Sequence, residues 1–229
     1  LAESYHGDTV GSMSLGYSET FHRYHRSLLF PTDRLNPPHF YRVAKRMDEG
    51  DALKAALQEA QEHLWQGKDT IAALIVEPLM QGAAGMWSQP RGYIKTLSEI
   101  CRENEILFIV DEVATGFGRT GRMFACEHED VSPDLLCVGK GITGGYLPLA
   151  ATLSTEKVFE TFLGEYGEFK SFFHGHTYTG NPLGCAAALA SLELFRKDEV
   201  LEKMQPKIHY LTNRLEKDFR PLAHVGDVR

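Results

Sequence analysis

Cysteine is scarce and nowhere paired in spacing. Cys101, Cys126, Cys137 and Cys185 occur without a CxxC and lie in or beside apolar segments. That argues against a thiolate zinc site and for reduced core thiols of a cytoplasmic protein. No apolar run approaches the roughly 20 residues that cross a bilayer. No charged, apolar leader opens the chain either, so no membrane partner is expected. Basic blocks are also missing: 24 Lys and Arg face 31 Asp and Glu, a net charge of −7. Nucleic acid is therefore not an expected partner. Internal repeats and low-complexity segments are absent, as is any GxxxxGK[ST] phosphate loop. What remains is ordinary globular composition, 43% hydrophobic and 24% charged over 229 residues, enough for a substantial core. Both ends read as cut, since Leu1 stands where a methionine would and Val225-Gly-Asp-Val-Arg229 is a turn leading onward.

The richest stretch runs from Ile106 to Lys140. An apolar run, Ile106 to Val110, stops at Asp111-Glu112; a glycine-rich turn, Thr115 to Gly121, follows; a second run, Leu135 to Val138, ends in Gly139-Lys140-Gly141. Short continuous apolar runs bounded by turn residues suit strands of a buried parallel sheet. Ligands bind beyond the carboxyl ends of such strands, where Asp111 and Lys140 both fall. Glycines on either side of Lys140 let the backbone lie close to a flat group and direct the amine into a dry crevice.

Around this stretch the chain alternates helix and strand. Tyr5 to Thr9 is a loop into a helix with a small interior (Gly11, Ser12, Ser14), capped by Asp8 or Thr9. Prolines 31, 37 and 38 make residues 28–41 irregular. Leu53, Leu57, Ala60 and Leu64 then form a helical stripe, started by Asp48 or Asp51 and ended by Gly67. Residues 71–76 form a strand ending in Glu77-Pro78, followed by a loop, Gln81 to Met86. A helix carrying Tyr93, Leu97, Ile100 and Cys101 completes a βαβ unit with the 106–110 strand. Further expected elements are a strand over 149–153, a helix capped by Ser154 or Thr155, a glycine loop over 171–181, and a helix with Leu183, Ala187, Ala190 and Leu194 on one face. A last helix over about 199–219 carries Met204, Ile208, Leu211 and Leu215, with Pro206 kinking or restarting it.

Several chemistries compete for these motifs. Gly116 to Gly121 and Gly139 to Gly144 both match GxGxxG, but a dinucleotide site needs a helix opening on the last glycine. Leu107 to Glu112 also resembles the acidic strand end that holds magnesium in P-loop ATPases, though the phosphate loop is missing. His174 and His176, two residues apart in a glycine loop, lack a third metal ligand. His22 and His25 read as solvated or partly packed. Thr177, before a helix, suits an anion. Glu77 either orients loops or substrate, or pairs with an arginine. Lys140 with Asp111 fits a third chemistry, in which a desolvated amine forms a covalent bond and a carboxylate pairs with a pyridinium nitrogen.

SYHGDTVGSMSLG, VEPLMQGAAGM, the block from Asp111 to Leu153 beginning DEVATGFGRTG, and HGHTYTGNPLGCAAALASLELF together resemble the class III pyridoxal-phosphate aminotransferases of fold type I. ACEHE, SPDLLC and HGHTYTGNPLGCAAA are most similar to the branch serving biotin biosynthesis. The resemblance implies an α/β large domain, a mainly parallel sheet with helices on both faces, over residues 1–220, incomplete at its N-terminus. Residues 221–229 would begin the connection to a smaller C-terminal domain. It implies a pyridoxal 5′-phosphate enzyme that aminates 8-amino-7-oxononanoate to 7,8-diaminononanoate. S-adenosylmethionine is the expected donor; alternatives are lysine as donor or an ω-amino acid:pyruvate exchange. Lys140 and Asp111 would be catalytic and hold the cofactor, with Val113 packed on one ring face. Tyr5 and His6 would also contact the cofactor, and Tyr5, Lys140 and Gly175 the substrate. His176 and Thr177 would reach the cofactor phosphate of a neighbouring subunit, which makes a homodimer with shared active sites part of the expectation. The family's Gly-Ser phosphate loop, N-terminal aromatic residues and C-terminal substrate arginine have no match in these 229 residues.

Overall fold

A computed structural model describes residues 1–39 and 48–228. Four strands form the main sheet in the order β1 (Ala73–Val76), β4 (Leu107–Asp111), β5 (Leu135–Val138), β6 (Ala151–Ser154). The first three are parallel, and β6 adds antiparallel to β5 at an exposed edge. The architecture is α/β, a mainly parallel sheet flanked by helices, as the alternation of apolar runs and helical stripes predicts. A separate two-stranded hairpin, β2 (Met80–Gln81) with β3 (Trp87–Ser88), replaces the plain loop expected there. Leu79 and Met86 take the left-handed backbone that tightens it, a conformation that apolar residues do not announce in a sequence.

The N-terminal segment carries α1 (Val10–Leu15), capped by Thr9, whose Oγ1 accepts from the Ser12 N–H, and α2 (Glu19–His22). Residues 29–39 are irregular, as their prolines require, while Phe40 and Tyr41 of that expected connection lie outside the described residues. Asp48 caps α3 (Glu49–Gly67) by accepting the Asp51 N–H at 2.8 Å. Gly67 ends it where a Cβ would fall 2.4 Å from Ile71.

Register decides where the core lies. Leu74 sits beside Phe108, Val76 beside Val110 and Val110 beside Leu136, so these side chains share one face. That face packs with Ala60 and Leu64 of α3 and with Tyr93, Ile94, Leu97 and Ile100 of α4 (Tyr93–Glu103) in one cluster. Each such fully buried side chain is worth about 1.5–3 kcal/mol. α4 begins on a left-handed Gly92 that has no side chain to cap it. Glu129 does so from a distant turn, accepting the N–H groups of Gly92 at 2.7 Å and Lys95 at 3.0 Å. The opposite sheet face, with Ile75, Ile109, Leu135 and Cys137, is half-exposed.

The C-terminal helices depart most from the pattern. α5 is short (Glu156–Glu160). α6 (Pro182–Lys197) buries Gly184 and Ala188 and exposes Leu183, Ala190 and Leu194, the reverse of the expected stripe. This helix lies against the turn at Lys140–Thr143, and Gly184 is enclosed by its own cap, where a Cβ would fall 3.0 Å from the Asn181 side chain. Pro206 lies inside α7 (Val200–Arg214) and does not restart it; residues Leu215–Phe219 continue as a wider turn. Met204 and Ile208 pack as expected, whereas Leu211 is exposed.

Tyr93 offers a test of the core. Its ring is fully buried and, among the described residues, its hydroxyl meets no hydrogen-bond partner. Leaving such a group unpaired costs about 1–3 kcal/mol. Tyr93→Phe should therefore raise unfolding stability, read as a higher urea midpoint at unchanged slope; a loss of stability would show that the hydroxyl is satisfied.

Candidate active site

Three strand ends deliver three functional groups to one edge of the sheet. Val76 pairs with Val110, so Glu77 and Asp111 emerge side by side from β1 and β4. Asp111 pairs with Cys137, and the Glu112 N–H donates to the Cys137 carbonyl at 2.8 Å. β5 therefore brings Gly139 and Lys140 out at the same edge as Asp111. The Asp111 side chain, the last of β4, is buried, with Oδ1 accepting the Val113 N–H at 3.0 Å.

The glycines of both turns are explained by packing. A Cβ on Gly139 would meet Val113 at 3.4 Å, and one on Gly141 would meet Phe117 at 2.9 Å. The Gly-Lys-Gly turn is thus seated against the turn that follows Asp111. Lys140 itself takes a left-handed backbone (φ 42°), a strained state for a residue with a side chain, of the kind concentrated at functional sites. On the far side, a Cβ on Gly118 would meet Leu201 and Phe195, and one on Gly121 would meet Ile208. Neither GxGxxG stretch opens a helix, so the dinucleotide context is absent. Glu112 is fully buried, accepting the Thr115 hydroxyl at 2.5 Å and the Cys126 N–H at 2.8 Å. Its carboxylate braces the turn, and the acidic pair does not converge as a magnesium-holding strand end would.

The N-terminal loop crosses this edge and is pinned to it. The Tyr5 N–H donates to Glu77 Oε1 at 2.9 Å, the Gly82 N–H to Oε2 at 3.0 Å, and Gln81 Nε2 to the Ala2 carbonyl at 2.7 Å. His6 Nδ1 lies 2.7 Å from Asp111 Oδ2. The Tyr5 ring stacks on His22 at 5.6 Å and 14°. His22, expected to be solvated or partly packed, is buried, and its Nδ1 accepts the Ser18 N–H. No local spacing could have signalled the His6 contact, because 105 residues separate the partners.

Lys140 differs from expectation in one respect. Its side chain is exposed in this chain, where a dry crevice was expected, although α6 lies against the same turn and Thr143 of that turn is buried. Gly175, His176 and Thr177 are also exposed, and among the described residues none hydrogen-bonds to Asp111, Lys140 or Tyr5. His176 instead accepts the Tyr178 N–H on Nδ1. Asp111, Val113, Tyr5, His6 and Glu77 are thus gathered by the fold, Lys140 borders them, and residues 175–177 stand apart.

The profile of the family Aminotransferase class-III matches residues 1–229. A protein of Aquifex aeolicus named adenosylmethionine-8-amino-7-oxononanoate aminotransferase is 53% identical over 229 residues, covering 100% of this chain and 50% of its own length. The crystal structure of the protein of that name from Methanocaldococcus jannaschii superposes with a TM-score of 0.88 at 48% identity, again over 100% of this chain and 50% of that one. An amine transaminase from an uncultivated Pseudomonas species, solved in a PLP-bound form, gives a TM-score of 0.81 at 36% identity over 91% and 50%. The chain spans about half the length of the curated relatives it matches.

Glu77 gives the site a pH signature. Burial raises its carboxyl above the ordinary 4.5, against the pull of the Tyr5 and Gly82 N–H groups. A raised folded pKa means the group favours folding below about pH 4.5 and loses that contribution as pH climbs through the folded value. Glu77→Gln cannot titrate, so its stability relative to wild type should improve between pH 4.5 and pH 7. Urea melts at both pH values showing a constant difference would contradict the shift.

Proposed function

The chain belongs to the class-III aminotransferase family, and from that premise we propose that the protein containing it moves an amino group from S-adenosylmethionine to 8-amino-7-oxononanoate. The product is 7,8-diaminononanoate, for biotin synthesis. The names of relatives at 44–53% identity support this pair of substrates. The observation that carries the reaction class is the delivery of Asp111 and the Gly139-Lys140-Gly141 turn to one edge by adjacent parallel strands.

The residues fit pyridoxal 5′-phosphate, which when bound supplies an electron sink for the reacting carbon. An ionised carboxylate has about four acceptor positions. Asp111 uses one for His6 and one for Val113, leaving capacity for a protonated ring nitrogen. Val113, pressed against Gly139, would support one face of the ring, and Tyr5 would bound the substrate side. Lys140 Nζ is the amine that holds the cofactor. When free, that amine would take a proton from the donor's α-carbon in one half-reaction and, in the other, deliver one to the acceptor carbon that becomes the new amine centre.

An amine does this in its neutral form, which a site closed to water favours. In the proposed homodimer that cover comes from a second copy and from parts of the protein beyond this chain. The loop holding Gly175, His176 and Thr177 supports such a contact, because Phe172, Phe173 and Tyr178 beside them are exposed aromatics. There His176 and Thr177 serve the partner's cofactor phosphate and Gly175 its substrate. Residues 1–220 belong to the large domain and 221–229 lead toward the smaller one. No helix among the described residues is long and apolar enough to cross a membrane, and all four cysteines are free; both suit the cytoplasm.

The full-length protein should test this. After loading with pyridoxal 5′-phosphate and borohydride reduction, peptide mapping should find the cofactor mass on Lys140. Lys140→Ala should lose the label and lower turnover by at least about 10²–10⁴-fold. A label on another lysine, or undiminished turnover in the variant, would refute the role. A donor panel of S-adenosylmethionine, lysine and ω-amino acids separates the biotin reading from its two alternatives.

A further inference from the structure

The buried imidazole of His6 has no part in the proton transfers above, yet it is fixed directly against the Asp111 carboxylate. Only 3% of its side chain is exposed, and Nδ1 lies 2.7 Å from Asp111 Oδ2. The other carboxylate oxygen is already taken by the Val113 N–H at 3.0 Å. Two contacts on opposite oxygens leave Asp111 no freedom to rotate.

His6 is held as firmly as it holds. The residue before it, Tyr5, is tied through its N–H to Glu77. Behind it stands Gly16, where a Cβ would fall 2.9 Å from the His6 backbone nitrogen and 3.0 Å from its ring Cδ2. Because an ionised carboxylate only accepts, Nδ1 is the protonated nitrogen in this contact. Nε2 is buried and unpartnered among the described residues. Two carboxylates bear on the ring's charge, Asp111 from the end of β4 and Glu77 from the end of β1. Glu77 registers both: burial raises it, the Tyr5 and Gly82 N–H groups and His6 pull it back, and Asp111 pushes it up again.

We propose that His6 is a positioning residue that holds Asp111 toward the cofactor's ring nitrogen and sets how firmly that carboxylate keeps the nitrogen protonated. The proposal rests on the cofactor reading above. It assigns His6 a role through Asp111 in place of direct contact with the ring. A hydrogen bond from His6 neutralises part of the Asp111 charge, and the rigid mount keeps the remaining lone pairs aimed out of the sheet edge.

The experiment uses the full-length protein and pyridoxal 5′-phosphate, comparing wild type, His6→Asn and His6→Phe. Asparagine places an amide donor near the Nδ1 position, whereas phenylalanine keeps the volume and loses the donor. Cofactor affinity is read by titrating the cofactor, and the pH dependence of the bound cofactor's visible absorbance at saturation. His6→Phe should bind roughly ten- to a hundredfold more weakly, the span of one charge-assisted hydrogen bond, and its absorbance titration should be displaced. His6→Asn should restore most of both. If His6→Phe fails to fold, His6→Leu, which also has no donor, takes its place. Wild-type affinity and titration in the donor-less variant would overturn the proposal while leaving the cofactor reading intact. So would equal damage in the asparagine variant, which would mark a packing role. A wild-type protein that binds no cofactor would overturn both.

Discussion

The parallel pairing of β4 with β5 governs everything else at this site. A ladder in which Asp111 lies beside Cys137 dictates that the chain leaves β4 at a carboxylate and reaches an amine, Lys140, three residues after Cys137 and just beyond the end of β5. A slip of one residue would turn Asp111 to the opposite face, into the cluster formed by Phe108, Val110 and Leu136. Register here is protected by burial. Val76, Val110 and Val138 are almost wholly enclosed, and exposing any of them in a shifted ladder would forfeit about 1.5–3 kcal/mol apiece. The core on one face thus fixes the chemistry at the edge.

Above that edge the turns are built for close approach. Gly139 against Val113 and Gly141 against Phe117 bring two loops to van der Waals contact, and Gly118 and Gly121 do the same beneath α6 and α7. Glu112 braces the first turn from inside and Glu77 staples the N-terminal loop across the strands. Charged groups pulled from water in this way are costly unless hydrogen-bonded. Each of the three buried acids at this edge, Glu77, Asp111 and Glu112, has a named donor on both oxygens.

Strands, the βαβ unit and the α3 and α4 stripes were legible because their apolar spacing reports burial directly. Asp111 and Lys140 were legible for a related reason: polar residues at the ends of apolar runs stand at a strand's edge whatever the rest of the fold. The α6 face was not, since its packing uses Gly184 and Ala188, and hydrophobic periodicity points to the leucines instead. Nor could the tie between His6 and Asp111, or the stack of His22 on Tyr5, be read in advance. Those contacts join segments whose proximity only the folded sheet creates. The exposure of Lys140 likewise could not be read from its glycine neighbours, because what covers a side chain is decided by segments distant in sequence.

A crystal structure of the full-length protein grown with pyridoxal 5′-phosphate measures the central claim most directly. The account predicts a planar ring lying between the two strand ends, its nitrogen against the Asp111 carboxylate and its reactive carbon joined to Lys140 Nζ. A ring bound elsewhere, or Lys140 Nζ turned away from Asp111 with no space for a ring between them, would contradict it.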